Sequence, residues 1–430
     1  MMNIEEAMDY IKKVSSLGSK PGLSRISFLS EKLGNPEKNL KIVHVAGTNG
    51  KGSFSAMLES VMRRAGFSTG LFTSPHMIKY NERIKFNGKD IDDGTISAYL
   101  TEIARIAADM EDRPTEFEIT TALGYMYFAD TKPDVCIVEC GMGGRYDATN
   151  IIERPVLSVI TGISLDHTAY LGDTVGRIAS EKAGIIKPGS PVLYGGDEGE
   201  ALDIIADAAE AAGSRLYTTD RKKISRVRCC TGGTVFDYGR YRDVSLGLCG
   251  YYQAYNASNV IAAVRILRRC GYKISCAQLR AGLSSAKWMG RFERMSANPP
   301  VFFDGGHNPE GVMLSVGTAR ACFDREPVVV SGVLRDKDYM KIAEIISGWA
   351  SEVYTVSPDS PRALGAPEYA ACFPRFGIAA RACSSFAEAL TFATDRAKAE
   401  GRAVLVLGSL YSYADVKSFY EVRKNAEKQD

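Results

Sequence analysis

Ile42-Val43-His44-Val45-Ala46-Gly47-Thr48-Asn49-Gly50-Lys51-Gly52-Ser53 changes character twice in a short stretch. A β-branched run suited to a buried strand gives way to a turn through three glycines. Phe54, Met57, Leu58 and Val61 then recur at helical spacing. A strand, a glycine turn and a helix start together make an anion site. Backbone N–H groups point at the ligand, and the helix dipole favours negative charge. Lys51 adds a point charge for outer phosphates, and Ser53 adds a hydroxyl for Mg²⁺. The common phosphate-loop pattern would place Gly at Val45 and Ser or Thr at Gly52, so the match is imperfect. A glycine turn after a strand can be purely structural. A lysine between two glycines on a helix start favours a nucleotide, and ATP is the expected one.

Bulk composition fits a globular enzyme. The 430 residues suggest two or three domains, with 45% hydrophobic and 24% charged residues. The balance of 53 basic against 51 acidic residues gives no polyelectrolyte signature, so no nucleic-acid partner is expected. No apolar run is long enough to span a membrane, and the start, Met1-Met2-Asn3-Ile4-Glu5-Glu6, is acidic rather than a secretory signal. None of the ten cysteines forms a Cys-x-x-Cys pair, and Cys136 and Cys140 lie in an apolar run. Buried free thiols in a reducing cytoplasm are therefore expected, not a disulfide framework.

Outward from the loop, helical stripes are expected over 3–17, from 24 to about 34, over 92–110 and over 116–130. Strands are expected at 68–73, 134–139, 155–163 and 190–194. Such alternation implies a mainly parallel, doubly wound α/β sheet. Short alternating runs around Gly232-Gly233 read as hairpins, a small antiparallel section at 214–250. Helices return at 256–270 and 275–286. Ser296-Ala297-Asn298-Pro299-Pro300 reads as a linker. Strands at 300–304, 327–333, 352–356 and 403–407 then imply a smaller Rossmann-like α/β domain. The expected division is thus 1–295, a linker at 296–300, and 300–430.

In parallel sheets ligands sit at the carboxyl ends of strands. Glu139 closes one strand and leads into Gly141-Met142-Gly143-Gly144-Arg145-Tyr146-Asp147-Ala148-Thr149-Asn150. A carboxylate at a strand end beside a phosphate loop suits Mg²⁺, although a solvated turn residue would look the same. Of four histidines, His76, His167 and His307 follow strands, whereas His44 lies within one and reads as structural. Lys182, read alone, is a surface lysine. Arg291, beside Gly290, could clamp a phosphate or make an ion pair.

Taken in order, His44–Ser53, Phe72–His76, Glu139–Asn150, Leu165–Gly172, Glu181–Gly189, Asn256–Asn259, Gly290–Glu293 and Asp304–Gly311 resemble the folylpolyglutamate synthase/dihydrofolate synthase family of the Mur ligase superfamily. The resemblance spans nearly the whole chain, and the irregular phosphate loop is the family's own form. It implies that Asn49, Gly50, Lys51 and Gly52 hold ATP phosphates, with Ser53 on one Mg²⁺. Ser74, Glu139 and His167 would ligate a second. Lys182 would correspond to the family's carbamylated lysine. Asn256, Arg291 and Asp304 would contact the nucleotide, with Asp304 on the ribose. Leu23, Arg25, Pro75, His76, Thr115, Glu116, Phe117, Glu118, Tyr146, Asp147 and Ala148 would lie at the folate. His307 and Ser409 would face the incoming glutamate, with Lys51, Lys182 and His307 at the reacting centre. Two positions depart: Tyr252 stands where the family usually has His, and Met289 where a Pro often precedes Gly-Arg.

The implied reaction is amide formation between a folate carboxylate and L-glutamate, driven by ATP through an acyl phosphate. Two Mg²⁺ sites, room for a monovalent cation, and a monomeric cytoplasmic enzyme belong to the same expectation. The motifs are shared by folylpolyglutamate and dihydrofolate synthesis and do not separate them. A Mur-type ligase on another carboxylate would need a UDP-holding domain, and about forty residues before the loop leave little room for one. A phosphate-loop switch without chemistry would need neither Glu139 nor a second α/β domain.

Overall fold

The computed structural model describes residues 1–15, 18, 20–166 and 168–426. It divides into two compact units, Met1–Lys223 with Tyr255–Ala286, and Ile224–Ala254 with Lys287–Asp430.

The first unit is built on an eight-stranded sheet ordered Lys89–Asp90, Ile84–Phe86, Thr69–Phe72, Val135–Glu139, Ile42–Ala46, Leu157–Ile160, Val192–Tyr194 and Leu216–Thr218. The last six of these run parallel, and the first two form an antiparallel edge. Central strands read as unbroken apolar runs because helices cover both faces of a parallel sheet. Ile42–Ala46 and Val135–Glu139 are accordingly buried throughout. Two cores form in this unit. One joins Ile42, Phe72, Cys136 and Val138 to residues such as Ile26, Leu100, Leu123 and Phe128. The other joins Ala46, Ile160 and Val192 to Ala179, Ile185 and Ile205. The helix leaving the phosphate loop, Lys51–Arg64, buries Phe54, Met57, Leu58 and Val61 completely. Each contributes about 1.5–3 kcal/mol of hydrophobic stabilisation.

Register brings the strand ends together. Val45 pairs with Glu139, Ala46 with Ile160, and Phe72 with Val138. The segments after Ala46, Glu139, Ile160 and Phe72 therefore leave the same edge, the position expected of a ligand site in such sheets.

In the second unit a six-stranded sheet runs Glu293–Ala297, Pro300–Asp304, Val404–Leu407, Val328–Ser331, Glu352–Thr355 and Ala380–Ala382. Only its first pair is antiparallel. Phe302, Val329, Val353 and Leu405 pack with Val316, Ile342 and Phe373 in its core. The helix Pro309–Cys322 starts where Asn308 accepts the Gly311 N–H at 2.8 Å and Pro309 supplies a preset φ.

The domain boundary differs from the expected one. Residues 296–300 are not a linker: Ser296 pairs with Val301 and Ala297 with Pro300 across a hairpin. Proline and asparagine mark tight turns as readily as linkers, and here they mark a turn. The antiparallel sheet of Ile224–Cys230, Gly233–Tyr238 and Tyr241–Leu246 also belongs to the second unit, so that unit is not confined to 300–430. All ten cysteines are free; Cys136, Cys140, Cys249, Cys372 and Cys383 are buried as expected, whereas Cys230, Cys270 and Cys276 are exposed.

Candidate active site

The glycine-rich loop after Ala46 is held by the neighbouring strand end and turns through two glycines into a helix. Gly47 has φ 151° and Gly50 φ 88°, both in the region that favours glycine. A Cβ on Gly47 would lie 2.0 Å from Thr161 Oγ1, and one on Gly50 2.4 Å from Asn256 Oδ1. Thr161 donates its hydroxyl to Asn49 O at 2.7 Å, and the Thr48 N–H donates to Gly162 O at 2.8 Å. Thr48 Oγ1 further donates to Ser164 O at 3.1 Å. Gly50 is the residue before the helix Lys51–Arg64 and, being glycine, has no side chain to cap it. Such an end presents N–H groups to an anion.

Two lysines converge on one carbonyl. Lys51 Nζ donates to Gly47 O at 3.0 Å, and Lys182 Nζ donates to the same oxygen at 2.9 Å. Lys182 is only 3% exposed, so the reading of it as a surface lysine is corrected. Burial, and then the neighbouring Lys51 charge, bring its ammonium down to about 7. Its helix, Val175–Ala183, is seated by Gly144, where a Cβ would lie 2.7 Å from Glu181 O. The Arg145 N–H donates to that oxygen at 2.8 Å.

Glu139 is 4% exposed at its strand end, and Ser53 is 2% exposed in the helix's first turn. Ser74 follows the strand Thr69–Phe72, and His167 lies outside the described residues. Among the described residues no three His, Cys, Asp or Glu side chains gather as a metal cluster. Two hydroxyls and one carboxylate are hard oxygen donors. Such a sparse set suits Mg²⁺, which keeps waters and takes ligands from phosphates.

The expected folate residues form two linked groups around one helix start. Thr115 caps Glu116–Thr131, and Glu118 completes a capping box. Glu118 also pairs with Arg25 at 3.1 Å, and Arg25 reaches Asp112 at 2.8 Å. Arg83 bridges Glu116 at 3.1 Å and donates from Nε to His76 Nδ1 at 2.8 Å. His76 is therefore neutral, and burial followed by the Arg83 charge brings it down to about 4. Phe117 packs edge-on against Phe72 beneath Gly141. Asp147 accepts from the Met142 and Thr149 N–H groups, so it shapes its own loop, and Ala148 is buried. Tyr146 is exposed. Leu23 immediately precedes the helix Ser24–Lys32, and Pro75 is exposed.

In the second unit Asp304, His307, Arg291 and Ser409 gather at the carboxyl ends of Pro300–Asp304 and Val404–Leu407. His307 Nδ1 lies 2.9 Å from Gly305 O, which can only accept, so Nδ1 carries the proton. Ser409 accepts the Tyr411 N–H at 3.2 Å, and a Cβ on Gly305 would come 3.1 Å from Arg291 Nη1.

Residues 45–264 match the Mur ligase middle domain, and residues 290–410 match the Mur ligase, glutamate ligase domain. The dihydrofolate synthase/folylpolyglutamate synthase of Bacillus subtilis is 36% identical over 425 residues, covering 96% of this chain and 98% of its own. This chain belongs to the folylpolyglutamate synthase/dihydrofolate synthase family. The folylpolyglutamate synthase of Lacticaseibacillus casei is 34% identical, covering 97% of this chain and 98% of its own. The structure of Mycobacterium tuberculosis folylpolyglutamate synthase complexed with ADP and AMPPCP superposes with a TM-score of 0.89. It is 31% identical and covers 97% of this chain and 99% of its own. The Escherichia coli FolC complex with DHPP and ADP gives 0.87 at 30% identity, covering 98% of this chain and 99% of its own.

Within this family member the sequence reading passed over Thr48, Thr161 and Arg83. Thr161 carried a usable signal, a hydroxyl at the end of the parallel strand beside the loop. Arg83 carried none, because its acidic partner Glu116 opens a separate helix and its contact with nearby His76 depends on the fold of the loop between them.

Proposed function

We propose that the protein is an ATP-dependent ligase joining the amine of L-glutamate to the γ-carboxylate of a folate. The observation that carries this reading is the glycine turn into a helix start with Lys51 and Lys182 on one loop carbonyl, in a chain of this family. A folate carboxylate oxygen attacks the γ-phosphorus of ATP as the bond to the β-phosphate oxygen breaks, giving an acyl phosphate and ADP. The glutamate amine then attacks the acyl carbon, losing a proton as inorganic phosphate leaves. Carboxylates are poor electrophiles, so the first step makes the second feasible. Asn49, Gly50, Lys51 and Gly52 hold the phosphates, and Lys51 offsets charge on the transferring group. Ser53, Ser74, Glu139 and His167 would hold Mg²⁺, which would further neutralise phosphate charge. Asn256 and Arg291 orient the nucleotide, while His307 and Ser409 face the glutamate.

The folate side draws on Tyr146, Phe117, His76, Pro75, Leu23 and Glu116, with Arg25, Thr115, Glu118, Asp147 and Ala148 shaping the wall. The name of the Bacillus subtilis relative supports dihydrofolate synthesis as a second activity. Among the described residues no helix is long and apolar enough to cross a membrane. A cytoplasmic monomer with room for a monovalent cation completes the proposal. The test is ADP release with glutamate and either tetrahydrofolate or dihydropteroate. Turnover that requires neither glutamate nor a pterin would sink it. Turnover with both pterins would establish the dual activity.

A further inference from the structure

Three cysteines meet in the second unit although they are far apart in sequence. Cys229 lies in the strand Ile224–Cys230, Cys249 precedes the helix Tyr251–Arg269, and Cys322 ends the helix Pro309–Cys322. Cys249 is buried in the core that holds Phe302, Val312 and Val316, and Cys229 and Cys322 pack against that core. The Cys249 and Cys322 sulfurs are 3.8 Å apart, across 73 positions of chain. Phe323 packs its ring 5.2 Å from that of Phe302 and 5.9 Å from that of Phe292, which fixes the helix end beside Cys249. The third sulfur is otherwise engaged, because the Thr234 hydroxyl donates to Cys229 Sγ at 3.8 Å. A metal does not account for the cluster: among the described residues no three His, Cys, Asp or Glu side chains gather as a metal site. A pair of thiols in contact is instead the starting geometry for a disulfide. Its S–S bond of about 2.05 Å requires the two sulfurs to close by about 1.8 Å.

We propose that Cys249 and Cys322 form a reversible disulfide when the protein meets a peroxide. Cys322 is the less buried of the pair, so the oxidant reaches it first. The hydrogen bond from the Cys249 thiol brings the Cys322 thiol down and raises its reactive thiolate fraction. The Cys322 thiolate attacks one peroxide oxygen as the O–O bond breaks, giving a sulfenic acid and hydroxide. Cys249 then attacks the sulfenic sulfur, forming the S–S bond and expelling a second hydroxide. The protons given up by the two thiols convert both hydroxides to water. Two thiols are thus oxidised by two electrons, and the peroxide is reduced to two waters. The bridge has a route to the nucleotide. Cys249 leads into Gly250, whose N–H donates to Thr234 Oγ1 at 3.0 Å, and on to Tyr252, whose hydroxyl donates to Asp304 at 2.7 Å. Asp304 is the carboxylate expected at the ribose. Drawing Cys249 towards Cys322 pulls on that bond, so the oxidised form binds ATP more weakly. This effect rests on the proposed nucleotide role of Asp304, whereas the cross-link itself does not.

The test treats the full chain, reduced and then freed of reductant, with hydrogen peroxide. Remaining thiols are alkylated, and peptides are mapped by mass spectrometry without reduction. The exposed Cys230, Cys270 and Cys276 serve as internal markers of oxidant dose. Wild type should yield a linked Cys249–Cys322 peptide that dithiothreitol releases. Cys322→Ser and Cys249→Ala should each lack it, and Cys229→Ser should keep it. Oxidation should raise the urea midpoint of wild type, because a bridge across 73 positions constrains the unfolded chain, and should not raise that of Cys322→Ser. KM for ATP should rise by about tenfold, the range for losing a hydrogen bond to a charged group, and reductant should restore it. Cys249 and Cys322 that stay alkylatable once the three exposed thiols are oxidised overturn the proposal. A bridge to Cys229, or sulfinic acid at Cys322 with no bridge, overturns it equally. A bridged protein with unchanged KM overturns the effect on ATP. Reduced wild type that turns over no ATP with folate and glutamate would instead remove the functional reading, leaving the peptide map and the urea midpoint to judge the cross-link.

Discussion

The loop after Ala46 and the loop after Asp304 both leave the carboxyl end of a parallel strand and both run through glycines into a helix, yet they spend their polar groups in opposite ways. In the first, Gly47 O draws two lysines inward, and the residue that precedes the helix, Gly50, has no side chain to cap it. In the second, a carboxylate gathers donors from four segments, and Asn308 caps the helix that follows. A helix end capped by its own asparagine beside a four-fold hydrogen-bonded carboxylate suits a framework, whereas a helix end entered through glycine beside gathered cations suits an anion. Similar glycine-rich stretches can therefore serve as binder or brace, and the flanking donors decide which.

The comparison breaks most sharply if the first loop is not a phosphate site. Lys51→Ala and Glu139→Ala should each cut ATP-dependent glutamate addition by about a thousandfold, on the scale of losing a transition-state charge partner. Their melting temperatures should stay near wild type. Undiminished turnover by the Glu139 variant at limiting Mg²⁺ would remove it from the metal site. Lys182 tests the same loop through linkage. Its folded-state value of about 7 lies below the ordinary lysine value of 10.5, so between these the unfolded chain binds more protons. Stability then rises with pH across that window and is flat below it. Relative to Lys182→Met, wild type should gain about 3 kcal/mol between pH 7 and 10 in urea titrations. A flat difference, or one of opposite sign, would mean the amine is not titrating there, as a carbamylated lysine would not.

Glycine substitutions sharpen the contrast at lower cost. Gly47→Ala meets both a positive φ and Thr161 Oγ1 at 2.0 Å, and should destabilise by about 2–3 kcal/mol. Gly306→Ala meets Ser315 Oγ at 2.8 Å and the Gly311 backbone at 2.9 Å without a positive φ. About 1–2 kcal/mol is expected there. Equal chemical-denaturation midpoints would show that the two loops are equally tolerant and do not differ in the way their hydrogen bonding implies.

Periodicity and β-branched runs carried the sheets well, because a buried parallel strand leaves few alternatives to Val, Ile and Leu. The turn Gly47–Ser53 and the strand-end position of Glu139 were legible because a β-branched run, a glycine turn and a helical stripe follow directly from residue type. Three things were not legible. The turn at Asn298-Pro299 carries linker composition, and only its antiparallel partners reveal a hairpin. The membership of 224–254 in the second unit depends on which surface its hairpins bury, which local pattern does not encode. The hydrogen bonding of Asp304 depends on Tyr252, Phe292, Gly306 and Ser315, donors from four stretches that only the folded chain brings to one carboxylate.

The smallest expected effect lies at a third strand end of the first unit, where His76 follows Thr69–Phe72. Its Nδ1 accepts from Arg83, so protonation would force two donors together, and burial adds to the cost. With a folded value of about 4 against 6.5, the unfolded chain takes up the proton first as pH falls. Stability is therefore lost between about pH 6.5 and 4 and levels off below. His76→Asn can keep an acceptor for Arg83 but cannot titrate. It should flatten this acid limb by about 1 kcal/mol, the amount reduced because the side chain is partly solvated. Urea titrations at neutral pH and at two acid values read the slope directly. His44, brought down to about 3 mainly by burial, contributes the same sign in both proteins and cancels in the difference. An unchanged slope would mean that Arg83 does not hold His76 neutral, and that the chain joining His76, Arg83 and Glu116 does not persist in solution.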